Sequence, residues 1–208
     1  MLKTKLTIVR HGETEWNTAM RFQGIKNSHL TRFGYRQIEL LAKALKNEEF
    51  DVCLCSNLQR AIETAQIINK YHRLKIIQSP DLNERNFGIL EGLTWNEFME
   101  IHPEVYENYQ TDKINYCIPN GESLVQFYHR VKNIFSQIVK DYEGKKILVV
   151  THGGVLDSLI RMIFDYPLSS LRCFSTNNAA INSIVFAEGK WILEEWGNVS
   201  HLKSLEVD

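Results

Sequence analysis

Along this chain, short apolar runs end in polar or glycine-containing clusters and give way to segments of helical period. Leu6–Val9 runs into Arg10-His11-Gly12, Asp51–Cys55 into Ser56, Lys75–Ser79 into Pro80, and Lys146–Val150 into Thr151-His152-Gly153-Gly154. Each run is too short for a helix and suits a strand buried on both faces. Between them, Thr31–Asn47 carries Ile38, Leu41, Ala42 and Leu45 at helical spacing. Ser56 is expected to N-cap the next helix, whose inner face holds Ala61, Ala65 and Ile68. Ser123 is expected to cap a long helix bearing Leu124, Phe127, Val131, Ile134 and Ile138, and Val155–Phe164 forms another. Ile181–Ala187 and Trp191–Trp196, joined at Glu188-Gly189-Lys190, predict a hairpin. The last residues, Lys203–Asp208, are expected to fray. Alternating strands and helices predict an α/β fold: three layers, a mostly parallel central sheet, helices on both faces. With 208 residues, the whole chain is expected to be a single domain.

Asn86 to Asn120 breaks the rhythm. It is rich in aromatics (Phe87, Trp95, Phe98, Tyr106, Tyr109, Tyr116) and in acids, with weak periodicity. It reads as an insertion over one end of the sheet, either a small helical lid or a peripheral helix pair. Its aromatic side chains are expected mainly to pack it against the rest of the fold.

Composition narrows the function. Hydrophobic residues are 44% and charged residues 24%, ordinary for a globular chain. A net charge of -1 argues against a broad nucleic-acid surface, which needs a basic excess. No apolar stretch approaches the ~18 residues of a membrane helix, and Leu6–Val9 is too short for a signal peptide. The four cysteines do not make a disulfide framework, so a cytoplasmic protein with reduced thiols is expected.

In open α/β sheets, ligands bind beyond the carboxyl ends of the strands. Here those ends carry Arg10, His11 and Gly12; Ser56 and, one helical turn on, Arg60; and His152, Gly153 and Gly154. If the strands are parallel, two histidines, two arginines and glycine-flanked helix starts converge. That set suits a phosphoryl group. Arginine forks match its oxygens, and glycine lets backbone N–H groups approach an anion. A charge pair at about 4 Å is worth roughly 4 kcal/mol at an effective dielectric near 20, so two arginines suffice in a near-neutral chain. Such a site can bind phosphate, or it can react. A neutral imidazole can attack phosphorus, and a carboxylic acid must then serve the leaving group. Glu84, just after the third strand run, is the best-placed acid.

The residues as a set resemble a known family. Arg10-His11-Gly12-Glu13-Thr14-Glu15-Trp16-Asn17 is similar to the signature of the histidine phosphatase superfamily, the phosphoglycerate-mutase-like proteins. Leu30-Thr31-Arg32-Phe33-Gly34, the stretch Ser56 to Ala65, Asn83 to Gly88, Pro119 to Ser123, Thr151 to Gly154 and Asn177 to Asn182 match in order. The resemblance spans nearly the whole chain. It implies His11 as nucleophile, Arg10, Arg60 and His152 as phosphate and transition-state binders, and Glu84 as proton donor and acceptor. It also implies Asn17 as a phosphate ligand, with Gln23, Gly24 and Gly153 beside the pocket. No metal and no organic cofactor are implied, and the partner is a small phosphorylated metabolite. Asn57 is a small departure, since relatives often have Asp there.

The same pocket serves phosphatases and mutases. A mutase must hold a second acidic group, and in that branch the insertion supplies paired basic residues. Here Asn86 to Asn120 contains Lys113 as its sole Lys or Arg, against Glu91, Glu97, Glu100, Glu104, Glu107 and Asp112. The phosphatase branch, which includes broad-specificity and α-ribazole phosphatases, is the expectation. A cofactor-dependent phosphoglycerate mutase is the alternative, and a non-catalytic phosphate-binding module a lesser one. Other phosphate chemistries fail on spacing. Cys55 to Arg60 has four residues between and Cys53 to Arg60 six, and neither spacing is that of a cysteine phosphatase. P-loop, Rossmann and zinc signatures are absent. His29, His72, His102, His129 and His201 are scattered and read as surface or structural.

Overall fold

The computed structural model describes residues 2–205. Six strands form one sheet: β1 (Thr4–Arg10), β2 (Val52–Ser56), β3 (Ile76–Ser79), β4 (Lys146–Thr151), β5 (Ile181–Ala187) and β6 (Lys190–Asn198). Their order is β3-β2-β4-β1-β5-β6. The first four are mutually parallel, and β5 and β6 add an antiparallel edge. The hairpin turns at Glu188-Gly189, with φ of 54° and 73°. Two consecutive positive φ angles match the right-handed twist of the flanking strands.

The helices are α1 (Glu15–Thr18), α2 (Arg32–Leu45), α3 (Gln59–Asn69), α4 (Trp95–Ile101), α5 (Pro103–Thr111), α6 (Leu124–Asp141) and α7 (Gly153–Ile163). Side chains alternate across a strand, so each central strand feeds both faces. Leu6, Ile8, Ile147 and Val149 pack under α6 and α7 through Phe127, Val131, Phe135, Leu156 and Leu159. Val9, Cys53, Cys55, Leu148 and Val150 pack under α2 and α3 through Ile38, Leu41, Ala61, Ala65 and Ile68. The expected three layers are therefore present, with a mostly parallel sheet between two helical layers. Burial pushes the Cys53 thiol up to about 12, so it is a core group rather than a nucleophile.

Two local expectations change. Ser56 does not cap α3. It ends β2, and Leu58 occupies the N-cap without a side-chain bond. A tertiary partner takes the Ser56 hydroxyl instead, as described below. Lys203–Leu205 does not fray but belongs to a 3-10 helix over Ser200–Leu205; the remainder of that expectation, residues 206–208, lies outside the described residues. The segment Asn86 to Asn120 holds α4 and α5 with a small core of its own, Leu90, Phe98 and Ile118, closed by Phe22, Phe87, Tyr106 and Tyr109. Among the described residues, no helix is long and apolar enough to cross a membrane.

Candidate active site

The parallel strands end at one edge of the sheet. β1 and β4 are neighbours there, with Arg10 in register with Thr151. This sets His11 beside His152, ring centroids 5.1 Å apart. A cleft of about 170 Å³ opens over them, lined by Arg10, His11, Asn17, Arg21, Phe22, Gln23, Gly24, Arg60, Glu84 and Phe87. A larger groove, of about 520 Å³, lies at the opposite edge of the sheet between α6 and the hairpin, and it lacks convergent arginines and histidines.

The state of His11 follows from its partners. Nδ1 lies 2.7 Å from the Gly12 carbonyl oxygen. A carbonyl only accepts, so Nδ1 carries the proton and Nε2 keeps a lone pair. Arg60 Nε–H donates to that Nε2 at 3.3 Å. Burial, then the charges of Arg60 and Arg10, holds the imidazole pKa well below its usual range. His11 is therefore neutral at pH 7, with its lone pair on Nε2. The loop is braced from behind, since Asn178 Nδ2 donates to the His11 carbonyl at 2.9 Å.

Arg60 is buried and Arg10 half-buried, neither with a carboxylate hydrogen bond. Arg60 donates to the carbonyls of Gly24 and Lys26 at 2.7 and 2.8 Å. Arg10 donates to the Thr176 carbonyl at 2.6 Å, and its Nε has no protein partner. Burial brings the Arg60 pKa down to about 10, opposed by Glu84, so it stays charged at neutral pH. Gly153 does not line the cleft. A Cβ there would stand 3.3 Å from Arg10 Cζ, so glycine lets the guanidinium lie on the first turn of α7. Gly24 sits at φ 55°, and a side chain there would collide with the buried Glu91 carboxylate. Glu91 in turn accepts from the backbone N–H groups of Ile25, Lys26 and Phe87, tying the loop to the aromatic segment.

Glu84 is fixed by two backbone donors. Oε1 accepts from Arg85 N and Oε2 from Gly154 N, both at 2.9 Å. Gly154 lies in the first turn of α7, a favourable end for a carboxylate. A Cβ at Gly154 would collide with Glu84 Oε1, so glycine is what admits the acid here. Asn17 closes the capping box of α1 with Thr14, and Gln23 donates to Thr14 Oγ1 at 2.6 Å. His152 is wholly buried behind the cleft and does not line it.

Sequence reasoning missed several groups. Arg130, mid-way along α6, donates to the carbonyls of Asp81, Asn83 and Glu84 and pairs with Glu122 at 2.7 Å, so it holds the loop that carries Glu84. Nothing local in sequence marks it. Arg21 and Phe22 form the cleft wall. They follow the first signature closely, and that proximity was the available signal. Arg21 is occupied by Glu97 of α4, at 2.6 and 3.1 Å.

The match to known proteins agrees with this geometry. The model of the histidine phosphatase superfamily (branch 1) matches residues 6–199. The chain belongs to that superfamily. Its relatives include a metal-independent phosphoserine phosphatase of Arabidopsis thaliana, 38% identical over 205 residues, covering 97% of this chain and 84% of the relative. Phosphoglycerate mutase-like protein 4 of the same plant is 36% identical over 203 residues, covering 96% and 87%. Among solved structures, the α-ribazole phosphatase of Shigella flexneri superposes with a TM-score of 0.86 at 30% identity, covering 93% of this chain and 96% of that one.

For a superfamily member with this cleft, Arg60 is expected to dominate oxyanion affinity, because it is a charged group that lines the cleft and donates to His11 Nε2. Arg60→Ala should weaken vanadate or phosphate binding roughly 10- to 100-fold, the scale of one or two charge-assisted hydrogen bonds. Titration calorimetry checks this, and unchanged affinity would remove Arg60 from the phosphate site.

Proposed function

We propose that the phosphatase activity of this superfamily runs here through a phosphohistidine on His11, acting on small phosphorylated metabolites. The observation that supports it is the His11 tautomer: the Gly12 carbonyl holds the proton on Nδ1 and leaves the Nε2 lone pair among Arg10, Arg60 and Glu84. The ester, entering as its monoanion, passes its proton to Glu84; Nε2 attacks phosphorus, the ester P–O bond breaks, and Glu84 gives that proton to the leaving alkoxide. Water then attacks the phosphohistidine, Glu84 takes the proton back, and the P–N bond breaks with its electrons returning to Nε2. Arg10, Arg60 and His152 hold the phosphoryl oxygens throughout, with Asn17 as a further ligand. Gln23, Gly24 and Gly153 shape the surround.

Water is the acceptor this site favours over a second hydroxyl of a retained acid. Arg21, the additional cation in the wall, is already paired with Glu97. Phe22 and Phe87 stand beside it with ring centroids 5.2 Å apart. The leaving group thus meets a neutral aromatic wall rather than a receptor for another anion. The test is phosphate release from a panel of phosphomonoesters in excess chelator, including 3-phosphoglycerate with its 2-isomer monitored. Rapid release without isomer is expected. Isomer formation with little phosphate release would make the enzyme a mutase.

A further inference from the structure

The hydrogen-bond network behind the cleft has one consistent assignment, and it determines how His152 can meet a ligand. Asn57 N–H donates to Asn83 Oδ1 at 3.1 Å, which fixes the orientation of that amide. Ser56 Oγ lies 2.7 Å from the same Oδ1. An amide oxygen only accepts, so the serine hydroxyl proton points there. Leu58 N–H donates to Ser56 Oγ at 3.2 Å. His152 Nε2 lies 2.7 Å from Ser56 Oγ. With the hydroxyl proton already used, this contact requires a proton on Nε2. In the neutral ring Nδ1 then bears a lone pair. That atom is buried and has no hydrogen-bond partner in the protein.

A lone pair repels a phosphoryl oxygen, whereas an N–H binds it. We infer that Ser56 and Asn83 lock His152, which lies behind the cleft with its ring 5.1 Å from that of His11, as its Nε2–H tautomer, so that a deprotonated phosphoryl oxygen that reaches Nδ1 is bound only by the imidazolium, and oxyanion capture takes up one proton at Nδ1. The inference rests on the phosphatase reading of this same site. The groups facing His152 make the switch strong. Burial opposes a charge on it most, followed by Arg60 from α3, the neighbouring His11 if it too is protonated, Arg10 from β1 and Arg130 from α6. Glu84, on the cleft wall, has its oxygens engaged by Arg85 N and Gly154 N. A dianion entering beside Arg10 and Arg60 reverses that balance, and the proton comes from solvent. Ser56 and Asn83 are positioning residues, because they act through His152.

The test is nitrogen NMR of the full chain labelled with 15N-histidine, with methylphosphonate as the phosphate probe at a pH where its dianion carries no P–OH proton. The free protein should show His152 neutral with Nε2 protonated. At saturation both ring nitrogens should be protonated, and the methylphosphonate Kd should rise about tenfold per pH unit on the alkaline side, as linkage to one proton requires. Ser56→Ala should free the tautomer and flatten that pH dependence, and Ser56→Thr, which keeps the hydroxyl, should restore both. An Nδ1–H tautomer in the free protein overturns the inference, as does a His152 that stays neutral while methylphosphonate saturates the His11 signals. Those wild-type spectra decide the matter even if Ser56→Ala fails to fold. No methylphosphonate-induced change at His11 at any pH would instead overturn the phosphatase reading, and the inference with it.

Discussion

Replacing His11 by alanine is expected to lower kcat on the order of 10⁶-fold, the scale seen when the nucleophile of a covalent hydrolase is removed. No second nucleophile stands ready in the cleft: the other imidazole, His152, is buried behind it and bonded to Ser56 through Nε2. The binding shell should survive. Arg60 keeps its bonds to Gly24 and Lys26, and Arg10 its bond to Thr176. His11→Ala should therefore still bind phosphate, and it should form no acid-labile phosphoenzyme after rapid quench with labelled substrate. Turnover retained within tenfold of wild type would show that the phosphoryl group passes directly to water and that His11 is only a ligand.

The second large effect is expected at Glu84, and it depends on the leaving group. Glu84→Gln keeps the size of the side chain and one acceptor for Gly154 N, but it cannot donate a carboxylic proton. General acid catalysis is worth about 10²- to 10⁴-fold, and alkyl phosphates should lose that much in kcat/KM. An activated aryl phosphate leaves as a stable phenolate and needs little help, so its first step should be slowed far less. Its phosphoenzyme should then accumulate, because water has lost its base. Burst kinetics on p-nitrophenyl phosphate, beside steady-state rates on alkyl esters, read both. Equal slowing of the two classes would assign Glu84 to holding α7 rather than to proton transfer.

The layered fold was legible because its signals are local. Ile147 and Val149 face one helical layer, Leu148 and Val150 the other, and strands buried on both sides read as unbroken apolar runs. The converging ends of β1, β2 and β4 followed from parallel pairing alone. Ser56 misled the local rule. A serine before a helix is usually its cap, but here a partner close to a hundred residues away in sequence, His152, competes for the same oxygen. Arg130 was invisible for a related reason. It looks like any polar residue on an amphipathic helix, and its role exists only once Asp81, Asn83 and Glu84 are folded against it. The weak period of Asn86 to Asn120 has a different origin. Its helices of 7 and 9 residues close aromatic rings on one another, Trp95 on Phe98 and Tyr106, rather than laying one apolar face on the sheet.

The place of β1 has a consequence for synthesis. The strand that leads into His11 is made long before its partners, since it pairs with β4 and β5, Lys5 with Lys146 and Thr4 with Phe186. A chain emerging from the ribosome at about 5–20 residues per second must carry that strand unpaired for many seconds. Pairings so distant in sequence also slow folding in general. The cleft is therefore completed late, when Asn178 arrives to hold the His11 carbonyl. Nascent fragments ending between Gly154 and Asn178 carry Arg10, His11, Arg60, Glu84 and His152 but lack the brace that holds the His11 loop.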